Sequence, residues 1–278
     1  AGELYPTFPV VLGHESSGVV EAIGAGVTRV RPGDRVVLAL THHCGHCSYC
    51  EAGHPMLCAR RVEYPPRISL DGTDVFQGFG TGSFADAVVV REVSCVRIPD
   101  GVPFTVAALL GCAVATGVGA VQNIAQVRPG ASVVVLGAGG IGLCVAMGAA
   151  VSGAERIVVI DPIPARRDRA LAVGATHALA PDDPMLERLT PDGFDYAFES
   201  VGRPDAMRTA IGLSRRGGTV TLIGAPDEAA EVSFPALDFV VSQRRLLGCL
   251  TGDVRPNTDF DVYFRLYLAG RLPLDELV

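Results

Sequence analysis

Near-continuous apolar runs alternate with mixed segments from about residue 130 onward. Runs that are apolar throughout are typical of strands buried on both faces of a sheet. The run at 132–136 is of this kind, and the further predicted strands lie at 156–160, 194–199, 218–224 and 246–250. The intervening segments 141–152, 164–173 and 204–215 have helical patterns, and Pro164 and Gly174 suit the first turn and the end of a helix. This alternation predicts a parallel, doubly wound α/β sheet, the Rossmann arrangement.

The first 111 residues have a different pattern, in which short β-rich stretches are separated by turns. Segments 19–23, 35–40 and 85–90 are predicted strands, and sequences such as Gly24-Ala25-Gly26 mark the turns between them. The loop at 41–60 is too polar and irregular to be expected to form an element of its own. These features predict a smaller, strand-rich region ahead of the α/β domain.

Length and charge narrow the class of protein. The chain has 278 residues, which favours two domains. Its net charge is −7 without a long basic run, so electrostatics do not support a nucleic-acid or membrane partner. No apolar stretch is expected to span a bilayer, because the candidate at 132–154 is interrupted by glycines between Gly137 and Gly148. No signal peptide is visible, and we expect a cytoplasmic protein.

A glycine-rich turn joins the first strand of the α/β pattern to its helix. Residues 133–142 read VVVLGAGGIG, which contains Gly-x-Gly-x-x-Gly. The first glycine allows a tight turn, the second lets the backbone approach a pyrophosphate, and the third allows helix and strand to pack closely. N–H groups at the helix start then face the phosphates. The predicted cofactor-binding residues here are Gly137, Ala138, Gly139, Gly140, Ile141 and Gly142.

Asp161 ends the next predicted strand, about twenty residues after the turn, where an acidic side chain binds the adenosine ribose in such sites. Its carboxylate can accept hydrogen bonds from both ribose hydroxyls and would repel a 2′-phosphate, which favours NAD over NADP. Arg166 and Arg167 follow closely and could reach the ribose edge or form a solvated helix face. The alternative for the whole motif is a βαβ turn that binds no nucleotide.

Four of the eight cysteines cluster at Cys44, Cys47, Cys50 and Cys58, with the spacing C-x2-C-x2-C-x7-C. Four thiolates on a short loop can close tetrahedrally round one zinc ion and leave no open position, which is a structural site. Two disulfides, free thiols or an iron–sulfur cluster are the alternatives. The nearby histidines are spare ligands or solvated loop residues; they are His42, His43, His46 and His54.

Two further motifs suggest a second metal. Gly13-His14-Glu15 places an imidazole beside a carboxylate before a strand, and Gly111-Cys112 places a thiol at the start of an apolar, helix-like segment. Taken alone, His14 is more often a structural histidine than a ligand, and Cys112 would be an inert core thiol. Spacing and composition do not pair them.

The order of these motifs resembles that of the zinc-containing medium-chain alcohol dehydrogenases. The resemblance extends over essentially the whole chain and includes 13–19, 32–36, the cysteine loop, 111–117 and 137–142. It implies a mainly β, GroES-like catalytic domain at 1–113, an NAD-binding Rossmann domain at 114–250, and a return towards the catalytic domain at 251–278.

The resemblance also assigns roles to residues. It implies that His14 and Cys112 are two of three protein ligands of a catalytic zinc, and that Glu15 is a carboxylate near the metal. Thr116 is expected near the nicotinamide, and Arg166 near the adenosine ribose. The stretch expected to contact the nicotinamide half is Ile223, Gly224 and Ala225. The third zinc ligand and the hydroxyl of the proton relay would precede Ala1, and a closing segment would follow Val278, so we expect a chain truncated at both ends.

The implied activity is reversible hydride transfer between an alcohol and NAD, with two zinc ions per full-length subunit. The substrate is a small alcohol or aldehyde, or a thiol adduct of formaldehyde with glutathione or mycothiol. A zinc-free reductase of the same superfamily and a non-catalytic zinc-and-nucleotide-binding module are the two competing hypotheses. A homodimer or homotetramer is expected, with contacts near 246–250.

Overall fold

The structure, a computed structural model, describes residues 8–40, 43–60 and 68–278. His42, considered above as a spare ligand, lies outside the described residues. The chain divides into two compact units. The first unit comprises Ala1–Ala115, Val254–Gly270 and Val278, and the second unit comprises Thr116–Asp253 and Arg271–Leu277.

The regular elements are numbered along the chain. The strands are β1 (Val10–Val11), β2 (Ser17–Val19), β3 (Arg35–Leu38), β4 (Ile68–Leu70), β5 (Thr73–Gln77), β6 (Cys95–Arg97), β7 (Ser132–Leu136), β8 (Arg156–Ile160), β9 (His177–Leu179), β10 (Phe194–Glu199), β11 (Ser214–Leu222) and β12 (Arg245–Gly248). The helices are α1 (Ser48–Glu51), α2 (Phe104–Leu109), α3 (Ala115–Gly119), α4 (Gly140–Val151), α5 (Pro164–Ala172), α6 (Met185–Leu189), α7 (Pro204–Leu213), α8 (Ala236–Ser242) and α9 (Pro256–Leu268).

The second unit contains a six-stranded sheet in the order β12-β11-β10-β7-β8-β9, with every neighbouring pair parallel. The predicted doubly wound sheet is therefore confirmed. Strands β7, β8 and β10 have the predicted bounds, whereas β11 starts earlier, at Ser214. Because β7 pairs with both β8 and β10, the chain order reverses beside β7, and ligands of such sheets bind at the carboxyl ends of the strands there.

The strands of this sheet are apolar because both faces are covered. Val134, Val158, Ala197 and Val220 sit in one core cluster and have no exposed surface. Buried parallel strands contain runs of apolar residues rather than alternating ones, which is why sequence patterning located them well. Helix α4 packs its buried side chains on this sheet, and its predicted bounds are correct to one residue at each end.

The first unit holds two small sheets, the antiparallel β2-β3-β6 and the mixed β1-β5-β4. The predicted strand at 85–90 is wrong, because these residues pair with no neighbouring strand. Its valines, Val88 and Val90, instead pack on a core cluster that contains Val36 and Leu38. The strand predicted at 19–23 also ends early, at Val19. The β-rich composition here belongs to side chains that cover the core without a strand partner.

Two further expectations are corrected. The cysteine loop forms elements of its own, the single helical turn α1 and a 3₁₀ turn at Pro55–Leu57.

One helical run, Phe104–Ala125, is long and apolar enough to cross a membrane by length and composition, contrary to the sequence-based expectation. Of its most apolar 18-residue window, 67% is buried inside the protein, and buried core helices pass the same test.

Candidate functional site

Four sulfur atoms converge in the loop around α1. The Sγ atoms of Cys44, Cys47, Cys50 and Cys58 all lie within 4.8 Å of one another. The Cys47–Cys50 distance is 3.5 Å, Cys47–Cys58 is 3.9 Å and Cys44–Cys50 is 4.0 Å. Thiolates bound at about 2.3 Å to one tetrahedral zinc lie about 3.8 Å apart. The quartet therefore fits one zinc ion, and all four cysteines are free rather than disulfide-bonded.

Backbone hydrogen bonds lower the pKa of two of the four thiols, Cys44 and Cys47. The N–H groups of Cys44 and Arg60 donate to the Cys58 sulfur at 3.3 and 3.4 Å. A backbone hydrogen bond with Cys50 lowers the pKa of the Cys47 thiol to about 6. Burial raises the pKa of Cys50 to about 12, and its hydrogen bonds with the neighbouring sulfurs act in the same direction. Four thiolates this close together need a cation, which zinc supplies.

The loop histidines do not join the quartet. His46 places Nδ1 2.9 Å from the Cys44 carbonyl oxygen, and its Nε2 lies 3.3 Å from the Arg60 guanidinium. His54 precedes the 3₁₀ turn that leads to Cys58. Within the described residues, the metal-binding group consists of the four cysteines without a histidine.

The glycine-rich turn has the geometry that a pyrophosphate requires. Gly137 has φ +94°, and a Cβ there would lie 2.9 Å from Ser200 Oγ and from Val201 Cγ2. A Cβ on Gly142 would overlap the carbonyl oxygen of Gly137. By contrast, no atom lies within 4 Å of where a Cβ on Gly139 would be, directly before α4. The open space at Gly139 and the helix start suit a phosphate group.

Asp161 lies at the carboxyl end of β8, beside this turn. Its Oδ2 accepts the N–H of Ala138 at 2.9 Å, and its Oδ1 accepts the N–H of Ile163 at 2.8 Å. The residue is only 2% exposed, so these two bonds hold the carboxylate in one orientation. A carboxylate has about four acceptor positions, so it can still accept bonds from a ribose. The predicted position is confirmed, and the ribose contact stays a prediction.

The two arginines of α5 have different surroundings. Arg167 donates to the carbonyl oxygens of Asp161 and Pro162 at 2.9 and 3.0 Å, so it holds the chain after β8. Arg166 lies 3.7 Å from Asp161 Oδ2, and about half of its side chain is exposed. Of the two, Arg166 is therefore the one with a guanidinium available at the predicted ribose position.

The His14 and Cys112 segments, which spacing did not pair, are adjacent in the first unit. The Oε1 atom of Glu15 accepts the N–H of Ala113 at 2.8 Å. A Cβ on Gly111 would lie 2.7 Å from the Leu38 carbonyl oxygen and 3.2 Å from that of His14. Only glycine lets the segment bearing Cys112 come this close.

This pairing provides two of the ligands expected for a catalytic zinc. In the part of the chain that the structure describes, the group of three or more metal-binding side chains is the cysteine quartet. The adjacent segments agree with the resemblance for His14 and Cys112, and within the described residues these two form no group of three with another His, Cys, Asp or Glu side chain. Their roles as zinc ligands stay predictions.

The remaining predicted residues lie in the second unit. Thr116 is buried and precedes Gly117, whose Cβ would lie 2.7 Å from the Ile141 carbonyl oxygen in α4. The stretch Ile223–Ala225 directly follows β11 at the carboxyl edge of the sheet. The 223–225 stretch thus lies at the same sheet edge as the glycine-rich turn, and the segment of Thr116 and Gly117 packs on the helix that begins at that turn.

Sequence reasoning missed three features. The turn after β10, Ser200–Gly202, lies against Gly137, and the buried Glu199 precedes it. Cys249 follows β12 and donates its N–H to the Leu222 carbonyl oxygen at 2.9 Å. Phe79 places its ring 4.8 Å from the His14 imidazole. Strand ends followed by small residues were a usable signal for the first feature, whereas no local signal marks Phe79.

Comparison with known proteins agrees with this geometry. The family model described as the alcohol dehydrogenase GroES-like domain matches residues 1–100, and that of the zinc-binding dehydrogenase matches 140–268. Geraniol dehydrogenase from Castellaniella defragrans is 36% identical over 286 residues, which cover 97% of this chain and 76% of that protein. The chain belongs to the zinc-containing medium-chain alcohol dehydrogenase family.

Other members of this dehydrogenase family are similarly related. S-(hydroxymethyl)glutathione dehydrogenase from Synechocystis is 35% identical, over 98% of this chain and 78% of that protein. The crystal structure of benzyl alcohol dehydrogenase from Acinetobacter calcoaceticus matches with a TM-score of 0.90 at 33% identity, covering 98% of this chain and 77% of that one. The protein is therefore an oxidoreductase of the zinc alcohol dehydrogenase type, a type that uses zinc and a nicotinamide dinucleotide.

Proposed function

We propose that this protein oxidises apolar primary alcohols, including aromatic ones, to aldehydes with NAD. The observation that carries the substrate class is the Phe79 ring, 4.8 Å from the His14 imidazole and tilted by 60°. Phe84 lies beside Gly13, one residue before His14, and is 80% exposed. An apolar side chain of an alcohol would find aromatic surface beside a predicted zinc ligand.

The residues of the first unit hold the reaction site in place. His14 and Cys112 would contribute an imidazole and a thiolate to the catalytic zinc, and Glu15 fixes the two segments through the N–H of Ala113. When bound, zinc polarises the alcohol oxygen as a Lewis acid and NAD accepts the hydride. Gly13, with φ +97°, has no space for a side chain beside Phe84, so His14 is presented on a tightly packed turn.

A panel assay tests this proposal. Rates with NAD are compared for benzyl alcohol, a long-chain allylic alcohol, ethanol and formaldehyde mixed with glutathione. We expect the highest kcat/KM for the two apolar alcohols. Phe79→Ala should lower kcat/KM for benzyl alcohol more than for ethanol, and equal losses for both would contradict the role of the ring. Phe234→Ala is the matched control, because Phe234 lies in the second unit and is 37% exposed against 39% for Phe79.

Oxidation of a thiol adduct of formaldehyde is the second candidate. Its support is the 35% identity to the Synechocystis enzyme. The adducts of glutathione and mycothiol are polar and charged, so an aromatic surface beside His14 favours them less. A rate with formaldehyde that depends on added thiol and exceeds the rate with benzyl alcohol would support this candidate over the first.

NAD rather than NADP is proposed because of Asp161. Its carboxylate is buried and fixed at the end of β8, so a 2′-phosphate would meet a negative charge that cannot move away.

The cytoplasmic location expected from the sequence stays a proposal. Localisation of a tagged protein in the source cell tests it.

Self-association through the edge of the large sheet is also proposed. Strand β12 is an edge strand, with β11 on one side. Apolar side chains of α8 nearby are highly exposed, among them Leu237 at 75% and Val240 at 69%. Unpaired strand edges and apolar patches are surfaces that a second copy of the chain can cover. Sedimentation should show a homodimer or homotetramer, and Val240→Asp should shift it towards monomer; a monomeric wild type would contradict the proposal.

A further inference from the structure

The last residue of β10 is a fully buried carboxylic acid at the centre of the sheet edge. Glu199 is paired with Leu136 at the end of β7 and with Leu222 at the end of β11. Its relative exposure is 0%. A carboxyl group in such a position carries a desolvation penalty that an apolar residue would avoid. Its presence there therefore calls for a role that an apolar side chain could not fill.

One side-chain oxygen of Glu199 organises the turn that follows it. Its Oε1 accepts the N–H groups of Val201 and Gly202, both at 2.8 Å. The main-chain oxygen of the same residue accepts the N–H groups of Ile223 and Gly224 at 2.8 and 3.1 Å. Glu199 thus connects two parts of the sheet edge. One is the turn after β10, and the other is the stretch after β11, which is predicted to contact the nicotinamide.

The turn after β10 in turn contacts the glycine-rich turn. Ser200 donates from its N–H and its hydroxyl to the Leu136 carbonyl oxygen at 3.0 and 2.9 Å. The Val201 side chain leaves no space for a Cβ on Gly137, and the Ala225 carbonyl oxygen leaves none on Gly202. Three turns at the carboxyl edge therefore meet within van der Waals contact around the residues that Glu199 holds.

The other carboxyl oxygen of Glu199 takes no part in holding the turn. Oε2 is buried and has no hydrogen-bond partner. Burial raises the pKa of this carboxyl, although hydrogen bonds from the backbone N–H groups that follow it act in the opposite direction. Arg203, the nearby cation, pairs with Asp205 at 2.8 Å instead. The hydrogen bonds that Oε1 accepts do not require a negative charge.

We propose that Glu199 is a positioning residue for the dinucleotide, acting as a buried hydrogen-bond acceptor that holds the turns after β10 and β11 against the glycine-rich turn. The inference rests on the proposed use of NAD. It concerns the affinity for the nucleotide, because the turns and not the carboxyl itself would face the ligand.

The test measures the Kd of NADH by fluorescence, together with Tm, for Glu199→Ala, Glu199→Gln and Glu199→Asp. Loss of two hydrogen bonds should raise the Kd of Glu199→Ala at least about tenfold, with a parallel rise in the KM for NAD and none in the KM for the alcohol. Glu199→Gln keeps an acceptor oxygen at the same reach and should stay within about threefold of wild type. Glu199→Asp, one methylene shorter, should fall between them, and it carries the test if Glu199→Ala does not fold.

Thr221→Val is the matched control, because Thr221 is equally buried on β11 and its hydroxyl also has no partner. It should leave the Kd of NADH unchanged. Wild-type Kd values for both Glu199→Ala and Glu199→Asp would overturn the proposal. It would also be overturned if Glu199→Gln weakened binding as much as Glu199→Ala, or if Thr221→Val did. A wild-type protein that binds no NADH would instead refute the proposed function itself.

Discussion

Glu15 accepts a hydrogen bond from the main-chain N–H of Ala113 at 2.8 Å, across 98 positions of the sequence. The bond joins the Gly-His-Glu motif to the residue after Cys112. The carboxylate is exposed, yet a backbone N–H fixes it. The segments of the two predicted zinc ligands, His14 and Cys112, are thus joined by the Glu15 side chain.

Removal of this bond should separate the two segments and weaken the catalytic metal site. Glu15→Ala is expected to lower kcat/KM at least about tenfold through misplaced ligands. Glu15→Gln keeps an acceptor and should lose less activity. Zinc content per chain and kcat/KM are the measurements, and Glu21→Ala, at an exposed glutamate of the same unit, is the control. Equal activity of Glu15→Ala and Glu21→Ala would show that the hydrogen bond between Glu15 and Ala113 does not contribute to activity.

Gly111 is expected to tolerate no side chain. A methyl group there would meet the Leu38 carbonyl oxygen at 2.7 Å, and main chain cannot move aside as a flexible side chain can. Gly111→Ala should therefore destabilise the fold by about 1–3 kcal/mol and reduce activity, as measured by denaturant unfolding and turnover. Gly24→Ala, where a Cβ would meet nothing within 4 Å, should change little. An unaffected Gly111→Ala protein would show that the segments are not packed this closely.

The cysteine quartet should couple zinc to stability. Cys47→Ser removes one thiolate from four that lie within 4.8 Å, and the closed site should then release its zinc. We expect one zinc fewer per chain by elemental analysis and a Tm lower by more than about 5 °C. Cys95→Ser, a half-buried cysteine outside the quartet, is the control. Full zinc content with an unchanged Tm would refute the structural zinc.

Cofactor preference should depend on Asp161 and Arg166. Asp161→Asn keeps an oxygen for the N–H of Ala138 but removes the negative charge, so NAD should bind more weakly and NADP better. The ratio of kcat/KM for NAD to that for NADP should fall about tenfold or more, because one charge contact is changed.

The two arginines of α5 provide a matched pair for this prediction. Arg166→Ala should remove much of the gain for NADP when added to Asp161→Asn, because its guanidinium lies beside that carboxylate. Arg167→Ala should lower Tm without changing the cofactor ratio, since Arg167 donates to main-chain carbonyl oxygens. An unchanged cofactor ratio in Asp161→Asn would end the assignment of Asp161 to the ribose.

Acid sensitivity should arise in part from Asp195. Burial opposes ionisation of this carboxyl, but hydrogen bonds from Ser132 and Arg215 outweigh it and lower the pKa below its usual range. A lowered folded pKa means that the stabilisation is present above the unfolded value of about 3.9 and is lost as the pH falls through the folded value. Tm measured between pH 7 and pH 3 should fall less steeply in Asp195→Asn than in wild type. Parallel curves would contradict this.

Local pattern was sufficient for much of the second unit. Strands β7 and β8 were predicted with their bounds because strands buried on both faces are largely apolar, and β10 was predicted with its bounds although it contains Asp195 and Glu199. The glycine-rich turn and the cysteine quartet were predicted because their groups lie within a few positions of one another. In the first unit, the strand expected at 85–90 failed because β-rich composition does not show whether a hydrogen-bonding neighbour exists.

The sequence by itself therefore determined the α/β alternation, the phosphate-binding turn and the zinc quartet, since each depends on residues close together in the chain. Only the tertiary structure decided that Cys112 lies against the His14 segment, that Phe79 packs on the imidazole, and that Glu199 joins three turns at one sheet edge. These contacts depend on strand order and on how closely two backbones can approach. Both are properties of the folded chain as a whole, which no short window of sequence contains.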